Sequence, residues 1–200
     1  MRLVLASRNT HKLRELRALL APIELTPLPD TVTLPEETGV TFADNALPKA
    51  ATAAEATALP AVADDSGIEA AALGGAPGVR SARFAGERAT DEENLARLLR
   101  DVAAAGDDRR VAYVCALAYV ERGPDSEVEQ RLFEGRCEGT LTSAPRGTGG
   151  FGYDPAFVPA EGDGVRTMSE LSPLEKGRIS HRGRAARALL AWLESRDLAE

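Results

Sequence analysis

Arg110-Val111-Ala112-Tyr113-Val114-Cys115-Ala116-Leu117-Ala118-Tyr119-Val120-Glu121 and Val128-Glu129-Gln130-Arg131-Leu132-Phe133-Glu134-Gly135-Arg136-Cys137-Glu138-Gly139-Thr140-Leu141 decide the fold class. Both read as long strands, with the turn Arg122-Gly123-Pro124-Asp125-Ser126 between them. Upstream the period is different. Residues 2–6 read as a buried strand, and Leu13, Leu16, Leu19 and Leu20 mark one face of a helix from Thr10 to Ala21. Thr41-Phe42-Ala43-Asp44 has the form of a capping box opening a helix through Ala58. Pro48 falls inside that helix, where it should remove a hydrogen bond and kink the chain. Ala61-Val62-Ala63 predicts a short strand ending at Asp64-Asp65-Ser66-Gly67, and Thr90-Asp91-Glu92-Glu93 caps a helix through Ala104. Downstream, Ser172-Pro173-Leu174-Glu175 joins a cap, a Pro at the first helical position and an acid at the third. A terminal helix carries Ala185, Leu189, Leu190, Trp192 and Leu193. The order predicts a mixed α/β fold with a long bent β-sheet flanked by helices.

The 200 residues fit a single domain, or two closely packed lobes, with enough chain for a real core. A net charge of −7 argues against a general nucleic-acid or membrane surface, while leaving room for a local basic pocket. Met1-Arg2-Leu3-Val4-Leu5-Ala6 is too short for a signal peptide, and no apolar run approaches the roughly 20 residues of a membrane span. Cys115 and Cys137, both in apolar stretches, read as buried reduced thiols. With two cysteines and two histidines far apart there is no zinc spacing. A soluble cytoplasmic protein is expected.

Lys12, Lys49 and Lys176 are the three lysines among 24 Lys and Arg residues. Arg presents a planar fork, whereas Lys carries a compact ammonium that serves as a point charge on a phosphate oxygen. Each of the three sits in a polar cluster. Ser7-Arg8-Asn9-Thr10-His11-Lys12 follows a buried strand at a helix start, which suits a polyphosphate cradle and equally suits an ordinary N-cap. Two acidic pairs stand out, Glu36-Glu37 and Asp64-Asp65. Adjacent aspartates diverge within a strand, but beyond its end either can turn to a ligand at the sheet's carboxyl edge. Carboxylates converging with phosphates commonly hold Mg²⁺, although an acidic turn reads the same way.

Gly147-Thr148-Gly149-Gly150-Phe151-Gly152 fits the G-x-G-x-x-G pattern by its letters. Tyr153-Asp154-Pro155 follows where a dinucleotide-binding helix should open, so that reading is rejected. A glycine-rich loop bearing Phe151 and Tyr153 suits a flat ligand, or a tight turn with two core aromatics. Ile179-Ser180-His181-Arg182-Gly183-Arg184 is expected between two helices. His181 reads either as a satisfied core histidine or, with Arg182, as one of a pair of donors that suit the carbonyl edge of a base.

These segments, together with Leu73-Gly74-Gly75-Ala76-Pro77-Gly78-Val79-Arg80-Ser81-Ala82-Arg83, occur in the order seen in the inosine/xanthosine triphosphate pyrophosphatases, and the chain resembles that family over essentially its full length. The resemblance implies a homodimer of elongated α/β subunits, each with two lobes and a central active-site cleft. It also implies Mg²⁺-dependent hydrolysis of ITP, dITP or XTP to the monophosphate and pyrophosphate. By the same resemblance Ser7, Arg8, Asn9, Thr10, His11 and Lys12 bind the triphosphate, and Lys49 contacts phosphate. Arg8 stands where a small residue is frequent, so its side chain either points away or adds a contact. Glu37, or Glu36 beside it, and Asp65 are the implied metal ligands. Asp65 is also the proton acceptor, Asp64 a second essential acid and Ser66 a substrate contact. Phe151, Gly152, Tyr153, Asp154, Lys176, His181 and Arg182 match nucleoside-binding positions. Two other readings are a Maf-type pyrophosphatase of modified nucleotides and a non-catalytic nucleotide-binding protein.

Overall fold

From the N-terminus the elements run β1 (Arg2–Leu5), α1 (Thr10–Leu19), β2 (Glu24–Pro27), α2 (Phe42–Thr57), β3 (Ala61–Ala70), α3 (Asp91–Ala105), β4 (Arg110–Arg122), β5 (Val128–Leu141), β6 (Phe157–Pro159), α4 (Pro173–Ile179) and α5 (His181–Asp197). The structure is a computed structural model and describes residues 1–123 and 127–197. Pro124, Asp125 and Ser126 of the expected turn lie outside the described residues. One mixed sheet has the strand order β2-β1-β3-β4-β5-β6, so the expected α/β class with helices flanking a sheet is what the chain adopts. Among the described residues no helix is long and apolar enough to cross a membrane.

By contact density the chain forms two compact units. The first comprises Met1–Asp65, Cys115–Gly135 and the stretch from Arg182. In it β1 runs parallel to β2, with Leu3 opposite Leu25, and parallel to β3, with Val4 opposite Ala61. Parallel neighbours need crossover connections, here provided by α1 and α2. Leu3, Leu5, Leu16, Leu20, Val62, Leu117 and Leu189 form the core of this unit. Each such side chain contributes roughly 1.5–3 kcal/mol when fully buried.

The second unit comprises Ser66–Val114 and Arg136–His181. Its core collects Ile68, Leu95, Leu98, Val111, Tyr113, Phe157 and Met168. The antiparallel pair β5/β6 sets Thr140 opposite Val158. Helix α3 opens with a capping box in which the Thr90 hydroxyl accepts from Glu93 N while the Glu93 carboxylate accepts from Thr90 N. The same device opens α2 at Thr41 and Asp44, and α4 at Ser172 and Glu175.

Three features differ from the sequence expectations. β3 does not end at Asp64 but carries Asp64-Asp65-Ser66-Gly67 inside a ten-residue strand. Both acids find polar partners beside the strand, so their charges do not terminate it. Helix α5 begins at His181, and the motif expected between helices lies across the single break at Ser180. Strand β2 was not expected, because Pro22, Pro27 and Pro29 crowd its four residues and only Leu25 of them is buried. Helix α2 runs through Pro48 to Thr57 with Ala58 as its C-cap, as the sequence led one to expect.

Candidate active site

In the first unit the site starts at the break between β1 and α1. Asn9 is the N-cap of α1, and its carboxamide oxygen accepts from His11 N at 2.9 Å and Lys12 N at 3.1 Å. The Ser7 hydroxyl accepts from Asn9 N at 3.2 Å. This capping leaves Asn9, Thr10 and His11 at the surface and directs Lys12 inward, where its ammonium lies 3.1 Å from Asp64 Oδ2. Arg8 goes elsewhere. Its fork is taken up by the 28–32 loop, donating to the carbonyls of Leu28, Pro29 and Val32 and to Asp30.

Because Asp64 and Asp65 are consecutive in β3, the pleat sends them to opposite faces. Asp64, with a fully buried side chain, accepts from Arg182 Nε at 3.1 Å and Nη2 at 3.0 Å as well as from Lys12. Burial by itself would raise its carboxyl, but Lys12, Arg182 and Lys49 outweigh that and hold it well below the usual carboxylate range. Asp65 accepts from the Asn45 amide at 2.9 Å. For this carboxyl burial wins, helped by the negative charge of Glu37 and opposed by Lys49, Asn45 and Lys12, so its affinity for a proton is raised. Two neighbouring acids are thus pushed in opposite directions, a pattern that separates a fixed anion from a proton acceptor.

Lys49 Nζ donates to Glu37 Oε1 at 2.7 Å and to the Asp64 carbonyl at 3.0 Å. Of the two glutamates, Glu37 is the one drawn into the cluster, while Glu36 is exposed. Ser66, the next residue of β3, is half-buried. Among the described residues no group of three or more His, Cys, Asp and Glu is placed to hold a metal. Glu37 and Asp65 nevertheless supply two hard carboxylate donors whose charges sense each other, and magnesium takes only one or two such ligands.

The second unit gathers another set. Asp154 is buried and acts as a hub, accepting from Phe151 N at 2.9 Å, Lys176 Nζ at 2.6 Å and the Tyr113 hydroxyl at 3.1 Å. Lys176 also lies 5.1 Å from the centroid of the half-buried Phe151 ring. Gly150 has φ +71°, and a Cβ there would fall 2.0 Å from Asp154 Oδ2, so only glycine permits this hub. Gly152 N donates to Asp91 at 2.8 Å, and the Tyr153 hydroxyl donates to the Ser81 carbonyl at 2.7 Å. His181 stacks on Tyr113, with ring centroids 4.6 Å apart and planes 13° from parallel.

Three sequence expectations change. Arg182, the largest fully buried side chain, directs its fork to Asp64 and Glu15 instead of holding it out towards the edge of a base. Lys176 is bound to Asp154 below an aromatic ring, so it orders that loop and does not present a bare charge for a phosphate. Tyr153 is tied to the second unit's own backbone through its hydroxyl. Three participants were also missed. Asn45 precedes Lys49 by one helical turn, and Glu15 follows Lys12 by three residues, so each spacing was a readable signal. Tyr113 had no such signal, because it sits in a strand as an ordinary apolar position.

Lysines set against carboxylates on a mixed α/β framework are the residue types that a site for a polyphosphate combines. The chain belongs to the Ham1 family, whose model matches residues 3–192. It is 51% identical to the dITP/XTP pyrophosphatase of Streptomyces coelicolor, over 94% of this chain and 95% of the relative. With the dITP/XTP pyrophosphatase of Escherichia coli it shares 47% identity, over 97% of this chain and 98% of the relative. The solved structure of a HAM1 protein from Coxiella burnetii superposes with a TM-score of 0.86 at 43% identity, covering 98% of this chain and 99% of that one.

Proposed function

We propose that this chain hydrolyses deaminated purine nucleoside triphosphates (ITP, dITP and XTP) to the nucleoside monophosphate and pyrophosphate. The observation that carries the reading is the Asp64–Asp65 pair, one acid bound by Lys12 at 3.1 Å and by Arg182 at 3.1 and 3.0 Å, and its neighbour on the other face meeting the Asn45 amide at 2.9 Å, with its affinity for a proton raised. The relatives' names support the substrate class.

Lys12 and Lys49 are assigned the polyphosphate, which each would meet as a point charge. Asp65 orients a water and takes its proton as the water oxygen bonds to the α-phosphorus, and the bond from that phosphorus to the bridging oxygen breaks to release pyrophosphate. Asp64 stays ionised throughout and holds Lys12 and Arg182 in place. Glu37 and Asp65 are the residues that would hold magnesium, which supplies charge neutralisation for phosphate oxygens when bound. For the base, the Phe151 ring offers a stacking face, kept in place by Lys176 and Asp154. His181 is assigned the donor to the 6-oxo oxygen. Adenine presents an amino group there and leaves a donor unpaired, a mismatch that can discriminate by several orders of magnitude.

Assembly as a homodimer and a cytoplasmic location belong to the same proposal and rest on the family resemblance. A Maf-type pyrophosphatase and a non-catalytic nucleotide-binding protein are not favoured, because the relatives are named dITP/XTP pyrophosphatases. The deciding experiment supplies ITP and ATP to the purified protein with Mg²⁺ and separates pyrophosphate from orthophosphate. Pyrophosphate from ITP, well above that from ATP and lost on chelation with EDTA, is the expected result. Orthophosphate as the product, or equal turnover of the two nucleotides, rejects the proposal.

A further inference from the structure

The segment from Leu28 to Val40 has neither helix nor strand, yet it carries Glu37. A stretch without backbone ladders holds a carboxylate in place only if side chains pin it. At its far end Gly39 N donates to Asn45 Oδ1 at 2.7 Å, and the same Asn45 holds Asp65. At its near end the pin is Arg8. Nη1 donates to the Leu28 carbonyl at 3.0 Å and to Asp30 Oδ1 at 3.0 Å, while Nη2 donates to the Pro29 carbonyl at 2.8 Å and to the Val32 carbonyl at 3.0 Å. Val32 N in turn reaches back to the Pro29 carbonyl at 3.1 Å, closing the turn around the fork.

We infer that Arg8 is a positioning residue: by stapling the 28–32 turn to the end of β1, it sets the strap that delivers Glu37 to Lys49 and Asp65. Asp30 is fully exposed, so that ion pair is screened by water and contributes little by itself. The staple lies in the three carbonyl contacts, which a planar fork satisfies together and a single ammonium does not. Arg8 therefore departs from the phosphate contact that its place between Ser7 and Asn9 suggests.

The inference rests on Glu37 being a metal ligand, and the test separates the two ideas. Arg8→Ala, Arg8→Lys and Glu37→Gln are compared with the parent in the nucleotide-free protein. Mn²⁺ binding is followed by electron paramagnetic resonance, and amide hydrogen exchange is read over residues 28–40. Both Arg8 variants are expected to quicken exchange in that segment, with β3 and α2 unchanged. They should also weaken Mn²⁺ binding by roughly 3–10-fold, less than the loss typical of residues that hold a ligand directly. KM for ITP at saturating metal should stay within about twofold of the parent, since charge screening at an exposed Arg is strong. Unchanged exchange overturns the staple. Quickened exchange with parental Mn²⁺ affinity, while Glu37→Gln weakens it, overturns the link to Glu37. A raised KM that Arg8→Lys restores makes Arg8 a phosphate contact and overturns the inference. If Glu37→Gln binds Mn²⁺ as the parent does, the metal assignment fails and the positioning role falls with it, whatever the exchange shows.

Discussion

Arg182 lays its guanidinium against a single oxygen of Asp64, Nε and Nη2 both donating to Oδ2 at 3.1 and 3.0 Å. The remaining nitrogen, Nη1, donates to Glu15 Oε2 at 2.6 Å. A fork filled in this way, with 2% of the residue exposed, acts through the acids it holds.

Arg182→Ala should therefore damage the fold and the chemistry together. Removing one partner of a buried ion pair leaves an uncompensated charge and costs about 3–5 kcal/mol. Thermal unfolding should shift down by several degrees, and kcat/KM should fall by similar factors for ITP and ATP. A loss confined to ITP in a stably folded variant would return Arg182 to base recognition.

Asp65→Asn keeps the size of the side chain and its contact with Asn45 while abolishing proton uptake. Turnover should drop by at least about 10²-fold, in line with loss of a general base, and the unfolding temperature should change little. Near-parental kcat in a folded variant would remove Asp65 from the proposed mechanism.

Lys176→Arg retains charge but forces a longer, planar group into the space between Asp154 and the Phe151 ring. The loop carrying Phe151 should lose order, and on the proposed reading KM for ITP should rise several-fold with a smaller effect on kcat. If instead kcat falls and KM holds, Lys176 serves the phosphates after all.

Cys115 supplies a chemical test of burial. Desolvation, reinforced by the charge of Asp64 and opposed by Arg182 and Lys12, pushes its thiol up to about 12. At pH 8 about one thiol in ten thousand is then the reactive thiolate, so iodoacetamide should leave Cys115 unlabelled in the native protein. The buried Cys137 should behave likewise, and both should react once the chain is unfolded. Rapid native labelling of Cys115, identified by mass spectrometry, would contradict its enclosure.

Much of the framework was legible. The capping boxes at Thr41, Thr90 and Ser172 close over three residues, so the letters and the geometry are nearly the same information. Long strands at β4 and β5 followed from residue type and length. The rejection of a dinucleotide-binding helix after Gly152 also held, since a short 3-10 turn at Asp154–Ala156 follows instead.

The roles of the charged residues were less legible. Which residues carry charge in the site's neighbourhood follows from the sequence alone, because Lys12, Lys49, Asp64, Asp65 and Arg182 each stand in a recognisable local cluster. Where those charges point was decided by tertiary structure. Asp64 and Arg182 are 118 residues apart, and no local spacing encodes a hydrogen bond over that distance. The extension of β3 beyond Ala63 likewise depends on Lys12, Arg182 and Asn45 arriving from other elements to satisfy two acids that would otherwise favour a turn. Burial then converts one pair of identical side chains into two different groups. The carboxyl bound directly by cations is held as an anion, and the one whose burial the neighbouring cations do not offset gains affinity for a proton, a distinction that desolvation and neighbouring charge create and that residue type does not contain.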